Sequence, residues 1–415
     1  MIVRILILML LASASLQAQT LAIRAGDLVD PATGSVRQNQ IIVIQDGRIF
    51  SVGTDLQEPQ GARVIDLSKS WVMPGLMDAH THLTLGAPGE LILEADYLKT
   101  SSALRTLKGL RNAEDLLLAG FTAVRDLGNE ANYVMTDLRR ALERGWFSGP
   151  SILSSGRIIA PYGGQSGDLS SEMGPFWHYE YIDADTADEV RKAVRQNIFY
   201  GANVIKLVAD NSAYTYSREE MQAAVAEAHR AGLKVAVHLY SDAPARAAIM
   251  AGVDSIEHGF QLSDELLQLM KERGTVLVGT DIPLEHLRRT GTVGGIFPPP
   301  EETAAASLDR LKRAHRIGVK MAFGTDTVLE MPGRTRADLM LDYLAVWEQA
   351  GIPRAKILRC MTTEPADLFG WTGERGAIEA GQAADIIATP SNPLEDIQSL
   401  RRVHFVMKDG KVVKQ

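Results

Sequence analysis

His80 and His82 stand two residues apart at the end of the run WVMPGLMDAHTHL. In an extended strand, residues two apart point to the same side, so both imidazoles can face one metal ion. Four more polar residues sit at the ends of strand-like runs: Lys206 in ANVIKLVA, His238 in LKVAVHLY, His258 in VDSIEHG and Asp326 in MAFGTD. A carboxylate at Asp326 could bind metal and also take a proton from bound water. Lys206 is flanked by Ile205 and Leu207. A lysine inside an apolar strand is costly unless it is paired or modified. Two readings stay open there. One is a structural lysine paired with a carboxylate. The other is a lysine carbamylated by carbon dioxide, whose new carboxylate could bridge two metal ions. Each of the six alone reads as a solvated or capped loop residue, but together they point to a metal site. Cys360 is the only cysteine, so a disulfide within the chain and a thiolate cluster are both excluded. Nitrogen and oxygen ligands remain, which suit zinc and similar divalent ions. Cys360, in the helix-like run ILRCMTTEPADLF, reads as a buried, inert thiol.

These residues need a scaffold that gathers strand ends. Eight strand candidates run through the middle of the chain, ending in DAHTHL, FTAVRDLG, PSILSSG, ANVIKLVA, LKVAVHLY, VDSIEHG, GTVLVGT and VKMAFGTD. Helical stretches such as SREEMQAAVAEAHRAG separate them. Repeated strand–helix units imply parallel strands with crossover helices, and eight of them fit a closed α/β barrel. Function in such a barrel sits at the C-terminal ends of the strands. A doubly wound open sheet lacks support, since no Gly-rich loop follows the first strand. The expected architecture is a TIM (β/α)8 barrel over residues 73–380. Residues 19–72 and 381–415 have short strands and turns, and are expected to meet as a small β-sandwich.

Hydrophobic residues make up 46% and charged residues 23%, which excludes disordered and fibrous classes. The formal net charge of −8, with no basic cluster, argues against nucleic-acid binding. Arg4, the apolar run Ile5–Leu11 and the small residues up to Ala18 read as a signal peptide over residues 1–18. Export to a periplasm or beyond is then expected, with no membrane attachment after its removal.

The motifs PGLMDAHTH, NVIKL, VAVHLY, SIEHG and FGTD resemble those of the amidohydrolase superfamily in its binuclear form with a carboxylated lysine. The tail MTTEPADLFGW…GAIEAGQAADII extends the likeness over nearly the whole mature chain. The resemblance implies that His80, His82 and Asp326 bind one metal ion, that His238 and His258 bind a second, and that carboxylated Lys206 bridges them. It implies hydrolysis of an amide bond by a metal-bridging hydroxide, with Asp326 as base and then acid, and Tyr240 bonded to the substrate. Within the superfamily the chain is similar to the imidazolonepropionase-like, prolidase-type group, and to amidohydrolases that hydrolyse ochratoxin A. Such enzymes cut an amide next to a free carboxylate, as in N-acyl amino acids and dipeptides, and are commonly homo-oligomers.

One departure matters. Many relatives carry Gly-Gly-His after the third strand, where this chain has Gly163-Gly164-Gln165, which leaves Xaa-Pro specificity open. Gln165 is therefore a candidate substrate-binding residue. Arg334, or Arg336, could clamp a substrate carboxylate. Trp177 and His178 lie in a long segment after the third strand that could cover the pocket. Rival readings are a mononuclear deaminase, a lactone or ester hydrolase on the same fold, and a non-catalytic paralogue.

Overall fold

In the computed structural model, residues 20–86, 99–128, 131–166, 170–210, 214–290 and 299–415 are described. The expected signal segment lies outside them.

Both chain ends build one sheet. Strands β1 (Leu21–Asp30), β2 (Ser35–Gln45), β3 (Arg48–Gly53) and β4 (Arg63–Pro74) come from the first part of the chain. The central strands are β5 (Leu76–Thr81), β6 (Phe121–Asp126), β7 (Ser151–Ser154), β8 (Ile158–Ala160), β9 (Tyr181–Asp183), β10 (Ile205–Val208), β11 (Val235–Leu239), β12 (Ser255–His258) and β13 (Val276–Val278). The last part of the chain adds β14 (Ile386–Thr389), β15 (Phe405–Lys408) and β16 (Lys411–Lys414). The terminal sheet has seven strands in the order β16-β15-β14-β4-β1-β2-β3. Its two halves close over one apolar cluster, in which Ile23 and Ile42 share a core with Ile386 and Phe405. Burial of that shared face explains why the two ends meet.

The central strands pair in parallel, β5-β6-β7 in one sheet and β13-β12-β11-β10-β8-β9 in another. Residues 151–160 serve both sheets, because β7 pairs with β6 while β8 pairs with β10. Helices such as Ala187–Tyr200 and Arg218–Arg230 alternate with these strands. Strands buried on both faces read as continuous apolar runs. Val124 of β6 joins the cluster beneath the helices, while Ala123 faces Met77, Ala236 and Val278 in a separate inner cluster.

The expected eighth strand, VKMAFGTD, holds only an isolated bridge between Leu277 and Met321. Its backbone nevertheless contacts two neighbours. Ala322 donates to the carbonyl of Leu277 at 3.1 Å, and Ala79 donates to the carbonyl of Phe323 at 2.8 Å. Gly324 allows this approach, since a Cβ there would lie 2.4 Å from Val278 and 3.0 Å from the His80 Cβ. The segment 161–181, read as a long loop after the third strand, is preceded by β8, holds two short 3-10 turns and runs into β9. These two strands are only three residues each, too short to show a period. Cys360 is buried at the end of the helix Arg354–Cys360, and burial pushes its thiol up to about 12.

Candidate metal centre

Three of the expected ligands converge. His82 Nε2 lies 3.1 Å from Asp326 Oδ1, and His80 Nε2 lies 3.6 Å from the same oxygen. The two Nε2 atoms are 3.3 Å apart. Each histidine is held from behind. His80 Nδ1 is 2.8 Å from Glu257 Oε2, and His82 Nδ1 is 2.8 Å from the Gly128 carbonyl. Both Nδ1 partners only accept, so the neutral rings carry their protons there and turn lone pairs inward. Two imidazole lone pairs and a carboxylate then face one another, with ligand atoms all within 4.8 Å. Such a set of acceptors fits a cation.

The other imidazoles adjoin this cluster. The rings of His80 and His258 are 5.2 Å apart, and those of His238 and His258 are 4.4 Å apart. His258 Nδ1 is 2.8 Å from Thr280 Oγ1 and 3.8 Å from Asp326 Oδ2. Glu257 and His258 are adjacent in β12, so alternation would send them to opposite faces. Left-handed backbone at His258, with φ of 69°, turns its ring back to the same place. Asp326 has φ of 54° and donates its N–H to the His80 carbonyl at 2.8 Å. Non-glycine residues in this region carry strain and cluster at functional sites.

Electrostatics favour the neutral, cation-binding form of His80, His238 and His258. Burial, and then the Lys206 cation, hold His80 and His238 well below the usual imidazole value. Burial and His238 do the same for His258. Burial alone would raise Asp326, but His80, His82 and Lys206 outweigh it and hold the carboxyl below its usual value. His82 goes the other way, since Asp326 overcomes burial and raises it. Lys206 is 2% exposed, and burial lowers its ammonium to about 8 against the opposing pull of Glu257 and Asp326. Burial and Asp326 raise Tyr240 well above the usual phenol value, so it stays a neutral donor. Its ring sits 4.7 Å from His238 and stacks on Phe260 at 5.5 Å.

The substrate-side expectations fare differently. Gln165 Nε2 lies 3.3 Å from His238 Nε2, and Tyr181 donates to its Oε1 at 3.3 Å, so this residue borders the centre. Arg334 does not offer an open fork. Its guanidinium closes on Asp342 through two bonds of 2.8 and 2.9 Å and donates to the Asp338 carbonyl. The expected clamp is corrected accordingly: Asp342 already supplies the carboxylate. Arg336 is buried and donates to the carbonyls of Leu85 and Thr327. It thereby ties the loop after His82 to the loop after Asp326. His178 is bonded to Asp183 at 2.7 Å, with its side chain 48% exposed, and Trp177 donates to Asp183 at 2.9 Å. These contacts pin their own segment and do not reach the centre.

Sequence reasoning passed over the supports: Glu257, Arg125, Gly128 and Thr280. A charged residue one position before a histidine gives no sign of which way it points. The run VDSIEHG is broken by Asp254 and Ser255, so Glu257 lacked the apolar flanks that marked Lys206.

The chain matches the Amidohydrolase family over residues 71–413 and belongs to it. It is 30% identical to ochratoxinase of Aspergillus niger, over 96% of this chain and 87% of that protein. The crystal structure of A. niger ochratoxinase superposes with a TM-score of 0.80 at 28% identity, covering 96% of each chain. The crystal structure of a Xaa-Pro dipeptidase with bound methionine does so at 0.84 and 29% identity, covering 95% of this chain and all of that one. The chain is thus a hydrolase of this family, which acts on small molecules.

Proposed function

We propose that this chain is a binuclear metal-dependent amidohydrolase that cleaves an amide bond next to a free carboxylate, as in N-acyl amino acids, dipeptides or ochratoxin A. The observation that carries it is the convergence of His80, His82 and Asp326 beside His238 and His258. The names of its relatives supply the substrate class. The scaffold is read as a (β/α)8 barrel over residues 73–380, with residues 19–72 and 381–415 as a small β-sandwich beside it. Residues 1–18 are read as an export signal.

His80, His82 and Asp326 would hold one divalent ion, and His238 and His258 another, with Nζ-carboxylated Lys206 between them. Such ions, zinc by the chemistry of the donors, supply an activated water and polarise the scissile carbonyl. Asp326 accepts the water's proton on a carboxylate oxygen and returns it to the leaving nitrogen. Tyr240, kept neutral by burial, donates to the substrate's carbonyl or carboxylate oxygen. Gln165 presents its amide at the His238 side of the pocket.

The test is hydrolysis of a panel of N-acyl amino acids, ochratoxin A and Xaa-Pro dipeptides, with metal content measured on the same sample. Release of a free amino acid at about two metal ions per chain is expected. No cleavage of any carboxylate-bearing amide by fully loaded protein would overturn the substrate class. About one ion per chain with ammonia released from a ring would favour a mononuclear deaminase.

A further inference from the structure

Inside an α/β barrel the strand residues facing inward are usually bulky and apolar. Beneath this centre they are not. Arg125 is 1% exposed and Glu257 is fully buried. The Arg125 guanidinium donates to Glu257 Oε1 at 2.7 Å, to Ser255 Oγ at 3.0 Å and to the Ala79 carbonyl at 2.6 Å. Ser255 Oγ in turn donates to Glu257 Oε1 at 2.5 Å. The remaining carboxylate oxygen, Oε2, meets His80 Nδ1. One connected group therefore joins β5, β6 and β12, and among the described residues it hydrogen-bonds to the centre through His80.

We propose that Glu257, held by Arg125, is a positioning residue for the metal centre: it fixes His80 as the Nδ1–H tautomer and so presents Nε2 to the metal ion. This rests on the metal-binding part of the function proposed above. A carboxylate accepts and cannot donate, so a neutral His80 must carry its proton on Nδ1. The Thr280 hydroxyl behind His258 can donate or accept and imposes no such choice. Burying Glu257 without Arg125 would leave an uncompensated charge, which explains the second partner. Stability alone does not explain the pair, because apolar residues of similar volume fill such a layer at no desolvation cost. The bond from Arg125 to the Ala79 carbonyl also fixes the strand immediately before His80.

The test compares Glu257→Gln with the double variant Arg125→Met/Glu257→Gln, which leaves no buried charge unpaired. Each is made in the native chain and in a His80→Ala chain. Zinc affinity of the metal-free proteins is measured by competition with a chromogenic chelator, and thermal unfolding confirms the fold. Zinc binding about 10–100-fold weaker is expected in the native background, the usual effect of removing the partner behind a ligating histidine. In the His80→Ala background the change should stay within about threefold, since the two residues act as a unit. Equal losses in both backgrounds, or none in the native one, would overturn the proposal. Nitrogen-15 spectra of histidine-labelled, metal-free native protein give a second readout that needs no variant of Glu257 to fold. The His80 signal, assigned by its absence in His80→Ala, should show the Nδ1–H tautomer, and an Nε2–H tautomer would overturn the proposal. Zinc affinity that behaves as expected in a chain that cleaves no amide would count against the substrate class alone.

Discussion

His82 Nε2 lies 3.1 Å from Asp326 Oδ1, although the two residues stand near opposite ends of the central strand series. This contact joins a proposed ligand to the group proposed to move the proton. Replacing Asp326 by Asn keeps an oxygen at this place and removes the base. Hydrolysis should fall about 10²–10⁴-fold while most of the metal stays bound. Rates measured beside metal content decide it, and a loss below about tenfold would exclude Asp326 as the acid–base group.

Lys206 is buried among the imidazoles and Asp326, where it lowers both His80 and His238. Lys206→Ala should reduce metal content from about two ions per chain to about one and abolish most activity. Short-chain carboxylic acids should restore part of both. Full metal content and activity without them would show that Lys206 is a structural lysine.

The Gln165 amide borders His238 at 3.3 Å. Gln165→Ala removes one hydrogen-bonding group from the pocket wall, about 1 kcal/mol of substrate interaction. KM should rise about fivefold with kcat changed less than about threefold. An equal fall in kcat with KM unchanged would place Gln165 in transition-state stabilisation instead.

Arg334 is paired with Asp342, and both side chains are partly exposed. Arg334→Ala should leave KM and kcat within about twofold and lower Tm by about 1–3 °C. A tenfold rise in KM for carboxylate-bearing substrates would restore the clamp role.

Asp342, outside the expected ligand set, gives a pH dependence of stability. Burial would raise its carboxyl, but His286, Arg334 and Arg401 outweigh this and hold it below the ordinary 3.8. A depressed folded-state value contributes stability above the unfolded value, and that contribution is lost as pH falls below it. The Tm advantage of native protein over Asp342→Asn should therefore be constant at neutral pH and shrink below about pH 4. Metal-free protein is used, so that ligand protonation is common to both. An advantage that grows on acidification would refute the assignment.

The HTH spacing and the run of strand ends were legible because strand alternation and strand–helix repetition are local patterns. They pointed to the same polar residues that the fold gathers: His80, His82, His238, His258 and Asp326. Arg334 misled because sequence position shows a cation but not its partner. Asp342 lies eight residues on, across a helix, and only folding brings it round. β8 and β9 escaped notice because three residues carry no period.

What the sequence alone determined was the supply of donors and the strand ends that carry them. What only the tertiary structure decided was their direction. Alternation would separate Glu257 from His258, yet left-handed backbone at His258 brings both to the centre, one behind His80 and one beside it. Backbone handedness at a single residue depends on what surrounding packing and hydrogen bonds will hold, and those contacts come from strands far apart in the chain.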